Sequence, residues 1–348
     1  MAGFYLTGSI NVPTIDDAFR LVGERLQPGA MRVPDGEPGD RANWVLTQSD
    51  HFLQNPTLDV VDKKARVRPG SAVSFGAVDY HTIATQSYAR FVAAREEGVL
   101  AEGSRFLVSI ATPFNAVNSF AEFDSQVEVA YAYEQQLRHS VEALQESIPP
   151  GDLAIQWDLP TELATIEGWF PNPYGGFEPI FAATARLASW VHDDAELTFH
   201  LCYGDSKFGA SPFMGDPPDE EAAARGGRHI LPRDATAIVT LANGLSRHVT
   251  RRIDAIQAAT VAAWTKRAHW QPLAGLALEA DTEIYLGLLH ADDGAAGAAA
   301  RAALAGEFLP DFGISTECGL GRHSTAQLEA VLVAWQEYAA NREPALIA

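Results

Sequence analysis

Glu196-Leu197-Thr198-Phe199-His200-Leu201-Cys202 reads as an apolar strand that ends in a His-x-Cys pair. Residues i and i+2 share a face of an extended strand. His200 and Cys202 therefore offer an imidazole nitrogen and a thiolate sulfur to the same side. Upstream lies a stretch of helical character, residues 179–192, and before it a second apolar strand, residues 153–158. Strand, helix, strand in that order implies a parallel pair joined by a crossover.

The same alternation extends outward to both ends. Strands are expected at residues 4–10, 30–34, 105–111, 153–158, 196–202, 252–258, 283–290 and 312–316. Helical stretches are expected at 15–26, 86–100, 120–148, 179–192, 232–250, 295–308 and 326–340. In 120–148 and 326–340 the apolar residues recur at i, i+3 and i+4, the mark of a helix packed on one face. Eight such repeats predict an α/β fold, a single (β/α)8 TIM barrel over residues 1–348 with long loops on the C-terminal face. Residues 38–85 read as an irregular or hairpin insertion after strand 2. The Gly- and Pro-rich segment 203–231 reads as a candidate lid, with the acidic run 216–221 as its solvated face.

Composition narrows the function. With 25 Lys and Arg against 45 Asp and Glu, the net charge of −20 argues against nucleic acid or an anionic membrane surface as partners. Two cysteines among 348 residues make no disulfide framework and fit a reducing, cytoplasmic setting. The first residues lack the basic-then-apolar pattern of a signal peptide, and no apolar run reaches the roughly 18–20 residues of a membrane helix.

The chemistry-bearing residues fall at the ends of the expected strands: Gly8-Ser9, Asp35-Gly36-Glu37, Gln156-Trp157-Asp158, His200-Leu201-Cys202, His290 and Cys318. In a barrel these ends meet at one mouth. One nitrogen and two sulfurs with a position to spare suit a zinc site meant for chemistry. Each residue also has a plainer reading. His200, Cys202 and Cys318 would serve as inert core residues, Glu37 and Asp158 as helix caps or as ion-pair partners of Arg32 or Arg41, Ser9 as a turn residue, and His290 as part of a capping cluster with Asp292 and Asp293. The aromatic segment 168–174 fits either a substrate pocket or loop packing.

Taken in order, these pieces resemble the catalytic domain of cobalamin-independent methionine synthase, within the wider group of zinc-dependent thiol alkyltransferases that includes epoxyalkane:coenzyme M transferase. Gly8-Ser9-Ile10 is similar to the family's Gly-Ser-Phe or Gly-Ser-Tyr opening, and Asp35-Gly36-Glu37 to its Gly-Glu segment. Ile155-Gln156-Trp157-Asp158 resembles the Ile-Gln-Ile-Asp-Glu-Pro strand. His200-Leu201-Cys202-Tyr203 matches the His-x-Cys-Tyr motif, and Glu317-Cys318-Gly319-Leu320 the Asp-Cys-Gly-Leu motif. The resemblance implies zinc held by His200, Cys202 and Cys318 and an amino-acid-like thiol or thioether substrate held by Ser9, Glu37 and Asp158. It implies His290 as proton donor to the leaving group, with Asp158 counted in the catalytic set.

Departures from the family pattern shape the expected reaction. The family adds a glutamate zinc ligand at the end of the strand after His-x-Cys, where residues 252–260 carry no acid at their end. Water, or a lid residue such as Asp205 or His229, is expected instead. Leu159 stands in the Asp-Glu-Pro stretch, and the tryptophan that follows Gly-Pro-Val-Thr is missing from residues 112–119. Long family members also carry a second barrel, so methyltetrahydrofolate is not the expected donor. The reading is alkyl transfer, usually methyl, to or from sulfur. The alternatives are a C–S bond-forming or cleaving enzyme of the epoxide:thiol transferase or lyase type, and a non-catalytic zinc-binding protein.

Overall fold

The computed structural model of the protein describes residues 3–204 and 232–342. All eight expected strands form, and all pair in parallel. They are β1 (Phe4–Tyr5), β2 (Arg32–Pro34), β5 (Arg105–Ala111), β6 (Leu153–Asp158), β7 (Glu196–Leu201), β8 (Ala255–Ala258), β9 (Glu283–Leu289) and β10 (Gly313–Thr316). The sheet runs β1-β10-β9-β8-β7-β6-β5-β2. Its two edges meet through a bridge between Ser9 and Gly36, with the Ile10 N–H donating to the Gly36 carbonyl at 2.8 Å. The result is a (β/α)8 barrel that closes at its C-terminal rim, where two site residues sit.

Closure depends on a glycine. Gly36 has φ +78°, and a Cβ there would lie 2.6 Å from the Ala18 Cβ. Only a residue without a side chain tolerates both conditions.

Several boundaries differ from expectation. The helix expected at 86–100 spans Tyr80–Glu96, so the insertion ends sooner than residue 85. That insertion holds a 3-10 stretch (Gly39–Gln48), a short helix (Ser49–Leu53) and the antiparallel hairpin of β3 (Leu58–Val61) and β4 (Lys64–Val67). The helix expected at 120–148 starts later, as Gln126–Ser147, behind an unexpected helix at Pro113–Phe120. Thr112 caps that short helix, its hydroxyl accepting from the Asn115 N–H, with Pro113 in the first turn. A second unexpected helix, Pro160–Ile166, again opens on proline. The expected strand 252–258 is trimmed to β8. Asp254 lies outside it, accepting from the Leu197 N–H at 2.9 Å and paired with Arg251 and Arg252.

Inside the barrel the side chains stack in layers. Arg32 bridges Glu196 at 2.6 Å and Glu283 at 2.7 Å at the N-terminal end. Above it a small apolar layer contains Tyr5, Leu107, Ala154, Ala255 and Tyr285. A polar layer of Ser109, Gln156, Thr198, Gln257 and Ser315 follows, tied by hydrogen bonds. The larger apolar core fills the space between barrel and helices. Among the described residues no helix is long and apolar enough to cross a membrane. The candidate lid, with Asp205, His229 and the run 216–221, lies outside the described residues.

Candidate active site and metal centre

His200 and Cys202 come from the end of β7, and Cys318 from the turn after β10. Their ligand atoms all lie within 4.8 Å of one another. Both cysteines are free, so the pair forms no disulfide. His200 is buried at 3% exposure and Cys202 likewise, while Cys318 is partly exposed. His200 Nε2 lies 3.6 Å from Cys318 Sγ, and the Gly204 N–H donates to Cys202 Sγ at 3.4 Å.

The donor set fits a zinc ion: one imidazole nitrogen and two sulfurs converging on one point. Burial pushes the Cys202 thiol well above its ordinary pKa, and the neighbouring Cys318 adds to the rise. Without a cation, then, burial favours Cys202 as the neutral thiol. A bound metal reverses that preference, since thiolate is the ligating form.

Ser9 is pressed against the Cys318 turn. Its carbonyl accepts from the Leu320 N–H at 2.6 Å, and its Oγ accepts from the Gly321 N–H at 3.3 Å. A Cβ on Gly319 would sit 2.4 Å from Ser9 Oγ, and one on Gly321 2.6 Å from Ser9 Cβ. The glycine after Cys318 is thus the condition for Ser9 and Cys318 to share the rim.

Glu37 stands beside Gly8, whose Cβ position lies 3.3 Å from Glu37 Oε1. Desolvation raises its carboxyl pKa to about 8, with Asp35 and Asp158 pushing the same way. The ion-pair reading does not describe it. Arg41 is bound to Asp35 at 2.8 Å and Arg32 to Glu196 and Glu283 at the far end of the barrel. Asp158 is buried at the end of β6, and Gln156 Nε2 donates to its Oδ1 at 2.7 Å. His290 is buried too, with Nδ1 3.4 Å from Glu317 Oε2. Asp293 stands at the N-cap of the helix Gly294–Gly306, without a side-chain capping bond, and pairs with Arg301 at 2.6 Å.

Four further participants have no role in the strand-end reading. Gln257 meets His200 Nδ1 from the neighbouring strand. Gln156 anchors Asp158, and Glu317 faces His290. Tyr80 has a hydroxyl whose pKa is raised by burial first and then by Asp158 and Glu37. The period-two rule could have found the glutamines, since Gln156 shares a face with Asp158 and Gln257 lies one strand over from His200. Tyr80 carried no signal, being far in sequence from every strand end. The aromatic segment 168–174 packs Phe170 and Tyr174 against the core, Tyr174 edge-on to Phe114 at 5.2 Å.

No sequence family and no curated protein matches the chain. Solved structures do. A B12-independent methionine synthase from Shewanella sp. W3-18-1, in complex with selenomethionine, superposes with a TM-score of 0.65 at 15% identity, over 100% of this chain and 99% of that one. A structure from Listeria monocytogenes assigned to the vitamin-B12-independent methionine synthases gives a TM-score of 0.51 at 15% identity, over 94% and 86%. At such identities the likeness is one of fold. It agrees with the resemblance carried by the rim residues.

Proposed function

We propose that the protein is a zinc-dependent, thiol-activating transferase of the methionine-synthase type, moving an alkyl group, methyl in the simplest case, to or from the sulfur of an amino-acid-like thiol. The observation that carries this reading is the convergence of His200, Cys202 and Cys318 on one point at the barrel mouth. Zinc bound there would hold a substrate thiol as its thiolate at neutral pH.

The chain's own residues supply the remaining parts. Glu37 and Asp158 provide the negative charge that an ammonium group needs. Ser9 Oγ already accepts from the Gly321 N–H, so its own proton is directed elsewhere and suits a substrate carboxylate. Gln156 fixes Asp158 in place. His290, oriented by Glu317, moves a proton at the leaving group. The helix Pro113–Phe120 has no tryptophan with which to stack a pterin, and this favours an alkyl donor other than methyltetrahydrofolate.

Substituting Cys202→Ser tests the core of the reading. Zinc content and alkyl transfer should fall together, the metal by at least 10-fold. Full zinc occupancy in a Cys202→Ser/Cys318→Ser double variant would exclude this site. Incubation with homocysteine and methyltetrahydrofolate should give no methionine, whereas sustained production would overturn the donor assignment. The same missing tryptophan, with Leu159 in the stretch where the family carries Asp-Glu-Pro, favours as second reading a C–S bond-forming or cleaving reaction such as epoxide opening by a thiol.

A further inference from the structure

Gln257 lies in register with His200 across the β7–β8 pair and is fully buried. Its carboxamide is engaged on both sides. Nε2 donates to Ser315 Oγ at 2.8 Å and to the Thr316 carbonyl at 2.9 Å, while Oε1 meets His200 Nδ1. The Thr316 carbonyl has no proton to give, so it must face the amide N–H side. Flipping the amide would set Oε1 against that carbonyl and deprive the Thr316 oxygen of this donor, a cost of about 1–3 kcal/mol for a buried polar group left unmade. Oε1 therefore points at His200, and it can only accept. The proton of the neutral imidazole must lie on Nδ1. Nε2 is left with a bare lone pair, and Nε2 is the nitrogen beside Cys318 Sγ.

We infer that Gln257 is a positioning residue of the metal centre, locking His200 in the tautomer that presents Nε2 to an ion shared with Cys202 and Cys318. The inference rests on the zinc reading above. It adds why a neutral amide stands on this strand. A carboxylate at 257 would set an oxygen against the Thr316 carbonyl, whereas the amide serves as donor to one strand and acceptor to the other.

The test uses the full chain, labelled with 15N-histidine and loaded with 113Cd as a spectroscopic stand-in for zinc. Long-range 1H–15N correlation, with His200 assigned by its loss in His200→Asn, should show Nδ1 protonated in the apo protein and 113Cd coupled to Nε2. Gln257→Leu should lower zinc affinity by roughly 10–100-fold in competition with a chelator and shift His200 towards a mixture of tautomers. A merely structural glutamine would lower the unfolding midpoint without changing the tautomer. Cadmium coupled to Nδ1, or unchanged zinc affinity in Gln257→Leu, would overturn the inference and leave the zinc reading standing. No metal uptake by the reduced wild-type protein would remove both. Should Gln257→Leu fail to fold, the wild-type spectra decide alone.

Discussion

Glu37 is the residue at which charge and function meet most directly. Its carboxyl is held at about pH 8, so at pH 7 the free protein carries it mostly protonated. An ammonium group arriving between Glu37 and Asp158 favours the ionised form and so expels a proton. Calorimetry of homocysteine or a close analogue at pH 7, in two buffers of different ionisation enthalpy, should report net proton release. Glu37→Gln should reduce that release by close to one proton, leaving the proton lost by the thiol, and weaken binding by about 2 kcal/mol, roughly 30-fold. A proton release in Glu37→Gln equal to that of the wild type would remove Glu37 from the ammonium site. Strand-end position alone pointed to Glu37, Asp158, His200, Cys202, His290 and Cys318. It gave no role to Gln257, whose part comes from a hydrogen bond across the β7–β8 pair, or to Gln156, which holds Asp158 from two residues back on the same strand.

At the scale of elements, the turn after β10 shows how backbone shape serves the rim. Gly319 and Gly321 let this turn lie directly on Ser9. Gly321→Ala should force the turn away from Ser9, at a cost of about 1–3 kcal/mol in stability by overpacking. Zinc affinity should fall as well, because Cys318 rides on the same turn. Denaturant titration and chelator competition on this one variant check both effects, and wild-type values in both would show that the turn has slack. The β-strands were legible because apolar runs bounded by loops are strong signals. Two helices, opened by Thr112-Pro113 and Leu159-Pro160, form where the apolar spacing predicts none. The Thr-Pro pair was a readable start signal, while Leu159 has no capping side chain to read.

For the whole molecule, the buried carboxyls set a pH dependence. Burial raises Glu162 to about 7, as it raises Glu37 to about 8, both from an ordinary value near 4.5. A group whose folded pKa is raised contributes stability that is complete below its unfolded pKa and lost as pH climbs through the folded one. Urea unfolding should therefore show stability declining between about pH 5 and pH 9, and Glu37→Gln/Glu162→Gln should flatten that decline. Parallel slopes in wild type and double variant would contradict it. Barrel closure was the least legible global feature. The expected strand 4–10 pairs regularly only over Phe4–Tyr5, and the seam is finished by the Ser9–Gly36 bridge. The central claim is a zinc ion on His200, Cys202 and Cys318 with a position for substrate sulfur, and X-ray absorption at the zinc edge tests it most directly. The account predicts one nitrogen and two sulfurs at about 2.3 Å in the resting protein, rising to three sulfurs when the thiol is added. A sulfur count that stays at two with saturating thiol, or a zinc bound without sulfur, would contradict it.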